Sequence, residues 1–200
     1  MESIETIYNG YKFRSRLEAR WAIFFDAAGI QYEYEPEGIM LTNGDLYLPD
    51  FYLPQFYCYF EVKRIPRKFS RSELPIEEFG DAIRKISNGT LVDSWAGIIA
   101  FGDPYDHYMW IFCQELNDSS GGTYESPVVF GENPDTRQPI LFSWDDWRDR
   151  RFFDSWQRMN EIPMTADCNY KYLENPFLTK RILEAELKAR QARFEHGEKG

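Results

Sequence analysis

Residues 47–64 read YLPDFYLPQFYCYFEVKR, and this stretch decides the fold because it centres on two strand-like runs joined by a short turn. The runs Leu46–Leu53 and Phe56–Val62 are dense in aromatic and aliphatic residues, which favour strands. Pro54 and Gln55 between them suit a tight connection, so we expect an antiparallel hairpin. The second run is apolar on both faces, which is typical of a strand in the interior of a sheet.

The hairpin carries two carboxylates and one ammonium group. Glu61 and Lys63 are two residues apart on one strand, so their side chains point to the same face. In an antiparallel hairpin, Asp50 comes to the same end of the sheet as Glu61. Two carboxylates there form an oxygen-rich pocket of the kind that Mg²⁺ prefers, with Lys63 beside it. A surface ion pair is the alternative, but charged groups on an interior strand need a reason.

Helical and strand patterns flank the hairpin on both sides. Apolar residues recur at helical spacing over Ser15–Ala28, and Gly29 follows as a stop signal. We expect a short strand over Ile30–Tyr34 and a second helix over about Leu74–Ser87. The other strands expected in this half are Trp95–Phe101 and Tyr108–Cys113.

The second half has a less regular pattern. Glu115–Pro139 is rich in Gly, Pro, Ser, Asn and Asp, which predicts a long loop with at most one short strand at Val128–Phe130. Spaced tryptophans after an N-cap serine predict a helix over Ser143–Met159. The charged run Thr179–Glu195 predicts a terminal helix that docks on the core or on a second subunit. The predicted division is a core over residues 1–115, a long loop region over 116–142 and a C-terminal helical extension over 143–200.

Glu18 has two interpretations, which do not exclude each other. Ser15 and Glu18 form S-x-x-E, the capping box that starts helices. The helical wheel also places Glu18 beside Leu17 and Trp21, at the edge of the buried stripe. A carboxylate there can face the end of the sheet that carries the other two carboxylates.

Basic side chains cluster directly after the hairpin. They are Lys63, Arg64, Arg67, Lys68 and Arg71. This density of positive charge predicts a loop that contacts DNA phosphates next to the metal site. A solvated loop is the alternative.

Composition bounds the class of protein. Of 200 residues, 43% are hydrophobic and 18% aromatic, which excludes a disordered chain, and the length excludes a stapled mini-protein. Lys and Arg total 23 against 33 Asp and Glu, a formal net charge of −10, so any DNA contact has to come from a local basic patch. No stretch approaches the roughly 20 apolar residues that span a bilayer, and the N-terminus lacks a signal-peptide pattern. We therefore expect a cytoplasmic protein that does not bind membranes.

The three cysteines point to a reducing compartment and not to a zinc site. Cys58, Cys113 and Cys168 are odd in number and cannot all pair within one chain. His107 with Cys113 or Cys168 fits no common zinc spacing, so we expect no zinc.

Three blocks of the sequence together resemble the PD-(D/E)XK nuclease superfamily, most closely the phage endonuclease I type of Holliday junction resolvase and related phage nucleases. The blocks are FRSRLEARW at 13–21, GIQYEYEPEG at 29–38, and the motif Pro49, Asp50, Glu61, Val62 and Lys63. They occur in the expected order within residues 11–64, and the resemblance does not extend to residues 115–200.

The resemblance implies a restriction-endonuclease-like α/β core, in which helices flank a central mixed sheet, followed by the C-terminal helical extension. It implies that Asp50 and Glu61 bind Mg²⁺, for which Mn²⁺ is a substitute. It further implies that Glu18 joins the metal ligands and that Lys63 assists the attacking water.

The expected function is that of a magnesium-dependent endonuclease acting on DNA, at branched or nicked sites, in a bacterial or phage-infected cell. We expect a homodimer, because two sites related by a two-fold axis cut two strands most easily. The alternative is a non-catalytic, phage-encoded interaction protein that keeps the nuclease fold, such as an acidic inhibitor or DNA mimic. The net charge of −10 favours this alternative, and the intact set of Asp50, Glu61 and Lys63 favours the enzyme.

Overall fold

The computed structural model of the chain describes residues 5–40, 44, 46–64, 96–106, 108–114, 123–143, 151–154, 158–161 and 177–194. Within these ranges the architecture is mixed α/β, with one large, mostly antiparallel sheet and two helices. The elements of the first half are β1 (Thr6–Tyr8), β2 (Tyr11–Phe13), α1 (Arg16–Ala28), β3 (Glu33–Tyr34), β4 (Ile39–Met40), β5 (Leu46–Tyr47), β6 (Phe51–Leu53) and β7 (Cys58–Lys63). Those that follow are β8 (Ala96–Phe101), β9 (Tyr108–Gln114), β10 (Thr123–Glu132), β11 (Pro139–Ser143), β12 (Arg151–Asp154), β13 (Arg158–Glu161) and α2 (Lys180–Gln191).

Helix α1 has clear start and stop signals. Ser15 is the N-cap, and its hydroxyl accepts a hydrogen bond from the Glu18 N–H at 3.2 Å. Gly29 ends the helix in the left-handed conformation, with φ of 71°, which glycine adopts without steric cost. The helix predicted over Ser15–Ala28 is therefore confirmed.

The predicted antiparallel hairpin is confirmed, but its first strand is shorter than the predicted Leu46–Leu53, because β6 covers only Phe51–Leu53 and Leu46–Tyr47 pairs with β4 in a separate ribbon. A 3₁₀ turn over Pro54–Phe56 joins the two strands, and the antiparallel register pairs Phe51 with Phe60 and Leu53 with Cys58. Strand β7 is buried over most of its length, as expected for an interior strand.

The main sheet contains nine of the described strands. Their order is β13-β12-β11-β10-β9-β8-β7-β6-β3. Neighbours are antiparallel except β7 and β8, which run parallel and pair Glu61 with Ile99. The pairs β1–β2 and β4–β5 form two separate small ribbons. Strands β8 and β9 confirm the predictions over Trp95–Phe101 and Tyr108–Cys113.

An aromatic core joins α1 to the sheet. Trp21 lies 4.8 Å from Phe60 between ring centroids, and Phe25 lies 5.4 Å from Phe51 and 5.8 Å from Phe130. Tilted and edge-on rings at these separations attract one another in addition to burying apolar area. The core therefore fixes α1 over the hairpin that carries the predicted site.

Helix α2 packs against α1, so the terminal helix predicted over Thr179–Glu195 is confirmed and docks on the core. The chain entering α2 lies close to β10, where a Cβ added to Gly131 would come within 2.9 Å of the Phe177 carbonyl oxygen. The fully buried Glu132 carboxylate forms ion pairs with Arg137, at 2.7 Å, and with Arg181 of α2. These contacts hold α2 to the middle of the sheet.

Two predictions for the second half are wrong. The long loop over Glu115–Pro139, and hence the loop region over 116–142, contains the ten-residue strand β10 and the start of β11. The predicted helix over Ser143–Met159 contains β12, which pairs with both β11 and β13. Pairing across strands outweighs the local composition at both places. Within residues 143–200, the described helix is α2 alone.

The helix predicted over Leu74–Ser87 lies outside the described residues. Neither described helix is long and apolar enough to cross a membrane.

Candidate active site

Asp50 and Glu61 lie next to each other at the open end of the β6–β7 hairpin. Continuing the strand register by one residue places Asp50 opposite Glu61, and the Asp50 N–H donates to Glu61 Oε2 at 3.4 Å. The Val62 N–H donates to Asp50 Oδ2 at 2.8 Å. Each carboxylate residue is only 6% exposed. The antiparallel pairing inferred from sequence thus brings the two carboxylates together.

The close approach of two buried carboxylates changes the acidity of Asp50. Burial and the negative charge of Glu61 raise the pKa of Asp50 to about 7, although the Val62 N–H acts in the opposite direction. At neutral pH the protein therefore holds this carboxyl group close to its titration midpoint.

Lys63 lies beside the carboxylate pair. Its Nζ donates to Glu61 Oε1, and its side chain is 46% exposed. The last residue of β7 therefore presents an ammonium group to solvent and to the carboxylates at once. Glu61 and Lys63 share a face of the strand, as the alternation of side chains predicts.

Glu18 is buried at the start of α1 and has a dense set of partners. Its Oε1 accepts from the Ser15 hydroxyl at 2.6 Å, and its Oε2 accepts from the Tyr34 hydroxyl at 2.7 Å and from the Arg14 N–H at 3.1 Å. The S-x-x-E pattern therefore caps the helix, but the carboxylate binds the amide of Arg14 and not that of Ser15. The negative charge of Glu18 also contributes to the raised pKa of Asp50.

Arg14 connects Glu18 to Asp50, and the sequence analysis missed it. Its Nη2 donates to Asp50 Oδ1 at 2.9 Å, and its Nε lies 2.6 Å from Glu35 Oε1. The Glu35 N–H in turn donates to the Asp50 carbonyl oxygen at 2.8 Å. Arg14 and Glu35 both lie within the quoted sequence blocks, but local patterns do not show that residues so far apart in the chain meet.

Tyr47 is a second residue that sequence reasoning missed. Its hydroxyl group is buried beside the Glu61 carboxylate. Burial and the charge of Glu61 raise its pKa, so the phenol stays protonated beside the carboxylates. The Y-L-P-D sequence at 47–50 was a detectable signal, because Tyr47 precedes Asp50 by only three residues.

A backbone relay fixes the exposed end of β7 to α1. The Gly102 N–H donates to the Lys63 carbonyl oxygen at 2.9 Å, and the Trp21 indole N–H donates to the Gly102 carbonyl oxygen at 3.0 Å. Because β7 and β8 are parallel, both strands end at this edge. The relay therefore holds α1, the end of β8 and Lys63 in a fixed arrangement.

The carboxylate pair fits a magnesium ion by its chemistry. Mg²⁺ binds oxygen ligands and commonly uses one or two carboxylates while keeping several waters. A divalent cation would also relieve the repulsion that raises the pKa of Asp50. Within the described ranges, no three His, Cys, Asp or Glu side chains converge as a complete ligand set, so the close pair is Asp50 and Glu61.

Of the basic residues predicted to contact DNA after Lys63, the structure describes only Arg64. Arg64 is exposed immediately beyond β7. Arg67, Lys68 and Arg71 lie outside the described residues.

No protein-family model and no curated protein matches the sequence.

Proposed function

We propose that the protein is a magnesium-dependent endonuclease that hydrolyses phosphodiester bonds in DNA. The observation that carries the proposal is the buried pair of Asp50 and Glu61, with the Lys63 ammonium group on Glu61 Oε1. Such a pair is costly for folding, because burial disfavours charged carboxylates and each raises the energy of the other. A metal-binding role explains why the chain keeps it.

The same proposal includes a restriction-endonuclease-like fold for the core. A restriction-endonuclease-like core is supported by the β6–β7 hairpin, the parallel neighbour β8 and the packing of α1 over them. The same elements carry the residues on which the resemblance to PD-(D/E)XK nucleases depends.

In this proposal Asp50 and Glu61 hold Mg²⁺, and Glu18 supports them from α1. When bound there, the ion would neutralise charge at the phosphate and make water a better nucleophile at neutral pH. Lys63 donates hydrogen bonds that orient the attacking water and stabilise negative charge on the phosphate oxygens. The water oxygen forms a bond to phosphorus and gives up a proton to solvent, while the bond from phosphorus to the leaving oxygen breaks and that oxygen takes up a proton from solvent.

The substrate proposed is DNA, with a preference for branched or nicked forms, which stems from the resemblance to junction resolvases. Arg64, Arg67, Lys68 and Arg71 are proposed to contact phosphates next to the cut. A homodimer and a cytoplasmic location complete the proposal.

A cleavage assay tests the function directly. Purified protein is incubated with supercoiled plasmid, linear duplex, single-stranded DNA and a four-way junction, in Mg²⁺ or in EDTA. We expect cleavage only with metal, and none by the Asp50→Asn variant. Glu33→Gln is the matched control, because Glu33 is an exposed carboxylate on the neighbouring strand β3. Undiminished cleavage by Asp50→Asn would contradict the proposal.

The net charge of −10 supports a second candidate, a non-catalytic acidic inhibitor or DNA mimic that keeps the fold. This candidate predicts no cleavage in any metal and no affinity for DNA in Ca²⁺, an ion that commonly permits binding without cutting. Binding of duplex in Ca²⁺ followed by cutting in Mg²⁺ would exclude it.

A further inference from the structure

A second polar feature lies outside the carboxylate site, between the start of α1 and the segment that follows α2. It is a cavity of about 240 Å³. Its lining consists of Arg16, Arg20, Ala192, Arg193 and Phe194. Three guanidinium groups therefore surround one small cavity in a strongly acidic chain.

The arginines of this cavity have few ion pairs with the carboxylates that the structure describes. Arg16 and Arg20 are four residues apart on α1, so they lie one above the other on the same face. Among the described residues, Arg20 has one ion pair, at 3.6 Å to Asp103, and neither Arg16 nor Arg193 has any. Within the described part of the chain, Asp103 is thus the one carboxylate that forms an ion pair with these three cations.

The hydrogen-bond donors of the cavity are also incomplete. The Nε atoms of Arg16 and Arg20 are buried and have no acceptor in the part of the chain that the structure describes. Buried donors without acceptors are unfavourable, and an anion with several oxygens would satisfy them. Guanidinium groups match the oxygens of phosphate especially well, because their planar N–H donors bind two oxygens at once.

We propose that the cavity of Arg16, Arg20 and Arg193 binds a phosphate group. Its volume of about 240 Å³ is large enough for one phosphate group. The expected source is a DNA strand, and this attribution rests on the proposed nuclease function. Free phosphate has the same chemistry and is the other source.

The position of the cavity relative to the carboxylates indicates which phosphate it holds. Arg16 and Glu18 are two residues apart on α1, so they project roughly 200° apart around the helix axis. A group bound by Arg16 is therefore a different phosphate from the one beside Asp50 and Glu61. Binding it would position the strand on the helix that also carries Glu18.

The test compares two double variants that remove the same charge. Arg16→Gln with Arg193→Gln alters the cavity, and Lys180→Gln with Lys188→Gln removes two exposed cations from α2. Affinity for a labelled DNA duplex is measured in EDTA over a range of salt. Protection by inorganic phosphate is measured as a rise in thermal midpoint, with chloride at equal ionic strength as reference.

We expect the cavity variant to bind duplex at least about tenfold more weakly than wild type, the effect of one lost charge-assisted contact. Its log–log salt slope should fall by about 0.9, the value for one phosphate contact. The control variant should change much less. Loss of protection by inorganic phosphate, with duplex affinity like that of the control, would support the cavity with free phosphate as its source. Equal behaviour of the two variants in both assays would overturn the proposal.

Working in EDTA separates this proposal from the nuclease function. If the wild-type protein never cuts DNA but the cavity variant binds duplex or phosphate more weakly than the control, the cavity proposal is supported and the nuclease function is overturned. A protein that cuts normally, with no difference between the variants, overturns the cavity alone. If the double Gln variant does not fold by circular dichroism, Arg16→Lys with Arg193→Lys replaces it. That variant keeps the charge and loses the two-oxygen geometry, so weaker binding supports the proposal and unchanged binding overturns it.

Discussion

The guanidinium group of Arg14 donates from Nη2 to Oδ1 of Asp50 at 2.9 Å, across 36 residues of chain. Arg14 lies just before the N-cap of α1, and Asp50 lies just before β6. A cation from the start of the helix therefore partly compensates a buried carboxylate at the end of the hairpin. The two sequence blocks that surround the site are coupled through this pair.

Because Arg14 donates to Asp50 and interacts with its charge, removing the Arg14 cation should raise the pKa of Asp50 beyond its present value of about 7. A raised carboxyl pKa means that the folded state holds its proton more tightly than the unfolded state, so stability falls as pH rises towards the folded pKa. In Arg14→Gln that fall should continue to higher pH than in wild type. Urea unfolding in EDTA at about pH 6 and about pH 9 measures the difference.

Lys12→Gln is the control for this experiment, because Lys12 is an exposed cation on β2 that pairs with Glu5. It should leave the pH dependence as it is in wild type. An Arg14→Gln protein with the wild-type pH dependence would show that Arg14 does not set the acidity of Asp50.

Asp50→Asn should remove the pH dependence of the free energy of unfolding that the Asp50 carboxyl group causes. In wild type, the shift from the ordinary aspartate pKa near 4 to about 7 makes the free energy of unfolding decrease across this interval. Asparagine keeps one acceptor but cannot serve both Arg14 and Val62. Its absolute stability therefore changes in two opposing ways, and the pH slope is the informative quantity.

From about pH 4 to about pH 8, the free energy of unfolding of Asp50→Asn should decrease by at least about 1 kcal/mol less than that of wild type. This amount corresponds to less than about one unit of the pKa shift. The measurement is urea unfolding in EDTA at the two pH values. Parallel pH profiles for the two proteins would contradict the raised pKa of Asp50.

If Mg²⁺ binds the carboxylate pair, which exists only in the folded state, it should stabilise the folded protein. At a concentration about 100-fold above its dissociation constant, the gain is about 2.7 kcal/mol. Asp50→Asn and Glu61→Gln should each lose most of the gain. The thermal midpoint in Mg²⁺ and in EDTA at about pH 8 provides the measurement. Equal gains in wild type and both variants would place the metal elsewhere.

The sequence predicts the hairpin and α1 well because the relevant signals are local. The turn at Pro54, the stop at Gly29 and the alternation of Glu61 and Lys63 each act over a few residues. By contrast, the contacts of Arg14 and Tyr34 with the carboxylates join distant parts of the chain, and no periodic pattern encodes them.

The second half is predicted poorly because its strands depend on their neighbours. In β10, Pro127 pairs with Trp110, and the composition around it is that of a loop. In β12, Phe152 pairs with Phe142, although tryptophans around this strand recur near helical spacing. Pairing with neighbouring strands decides both elements, and a single sequence does not show which residues lie opposite.

Glu18→Gln separates the capping role of Glu18 from the metal-binding role. The glutamine oxygen can accept from Tyr34 and Arg14, while its amide donates to the Ser15 hydroxyl oxygen, so the variant should lose only a few tenths of a kcal/mol from the helix dipole. If its negative charge supports the metal, cleavage should slow and need more Mg²⁺. A Mg²⁺ titration of the cleavage rate, with urea unfolding in parallel, measures both effects.

Ser15→Ala is the matched comparison, since it removes the N-cap and should cost about 1 kcal/mol without slowing cleavage. Normal cleavage by Glu18→Gln across the titration would leave Glu18 as a capping residue and reduce the site to the hairpin.

Glu132→Gln should destabilise the fold by detaching α2 from the sheet. The Glu132 carboxylate is fully buried and pairs with Arg137 and Arg181, so the neutral side chain leaves Arg181 without its partner. Breaking such a pair costs about 3–5 kcal/mol when both charges are buried, and we expect at least about 2 kcal/mol here because the arginines are partly exposed. Glu184→Gln, which breaks an exposed pair with Lys180 on the same helix, should cost about 0.5 kcal/mol or less.

Urea unfolding of Glu132→Gln, Arg181→Gln and the double variant gives the coupling energy between Glu132 and Arg181. A double variant whose loss equals the sum of the single losses would show that the ion pair does not hold α2 to β10.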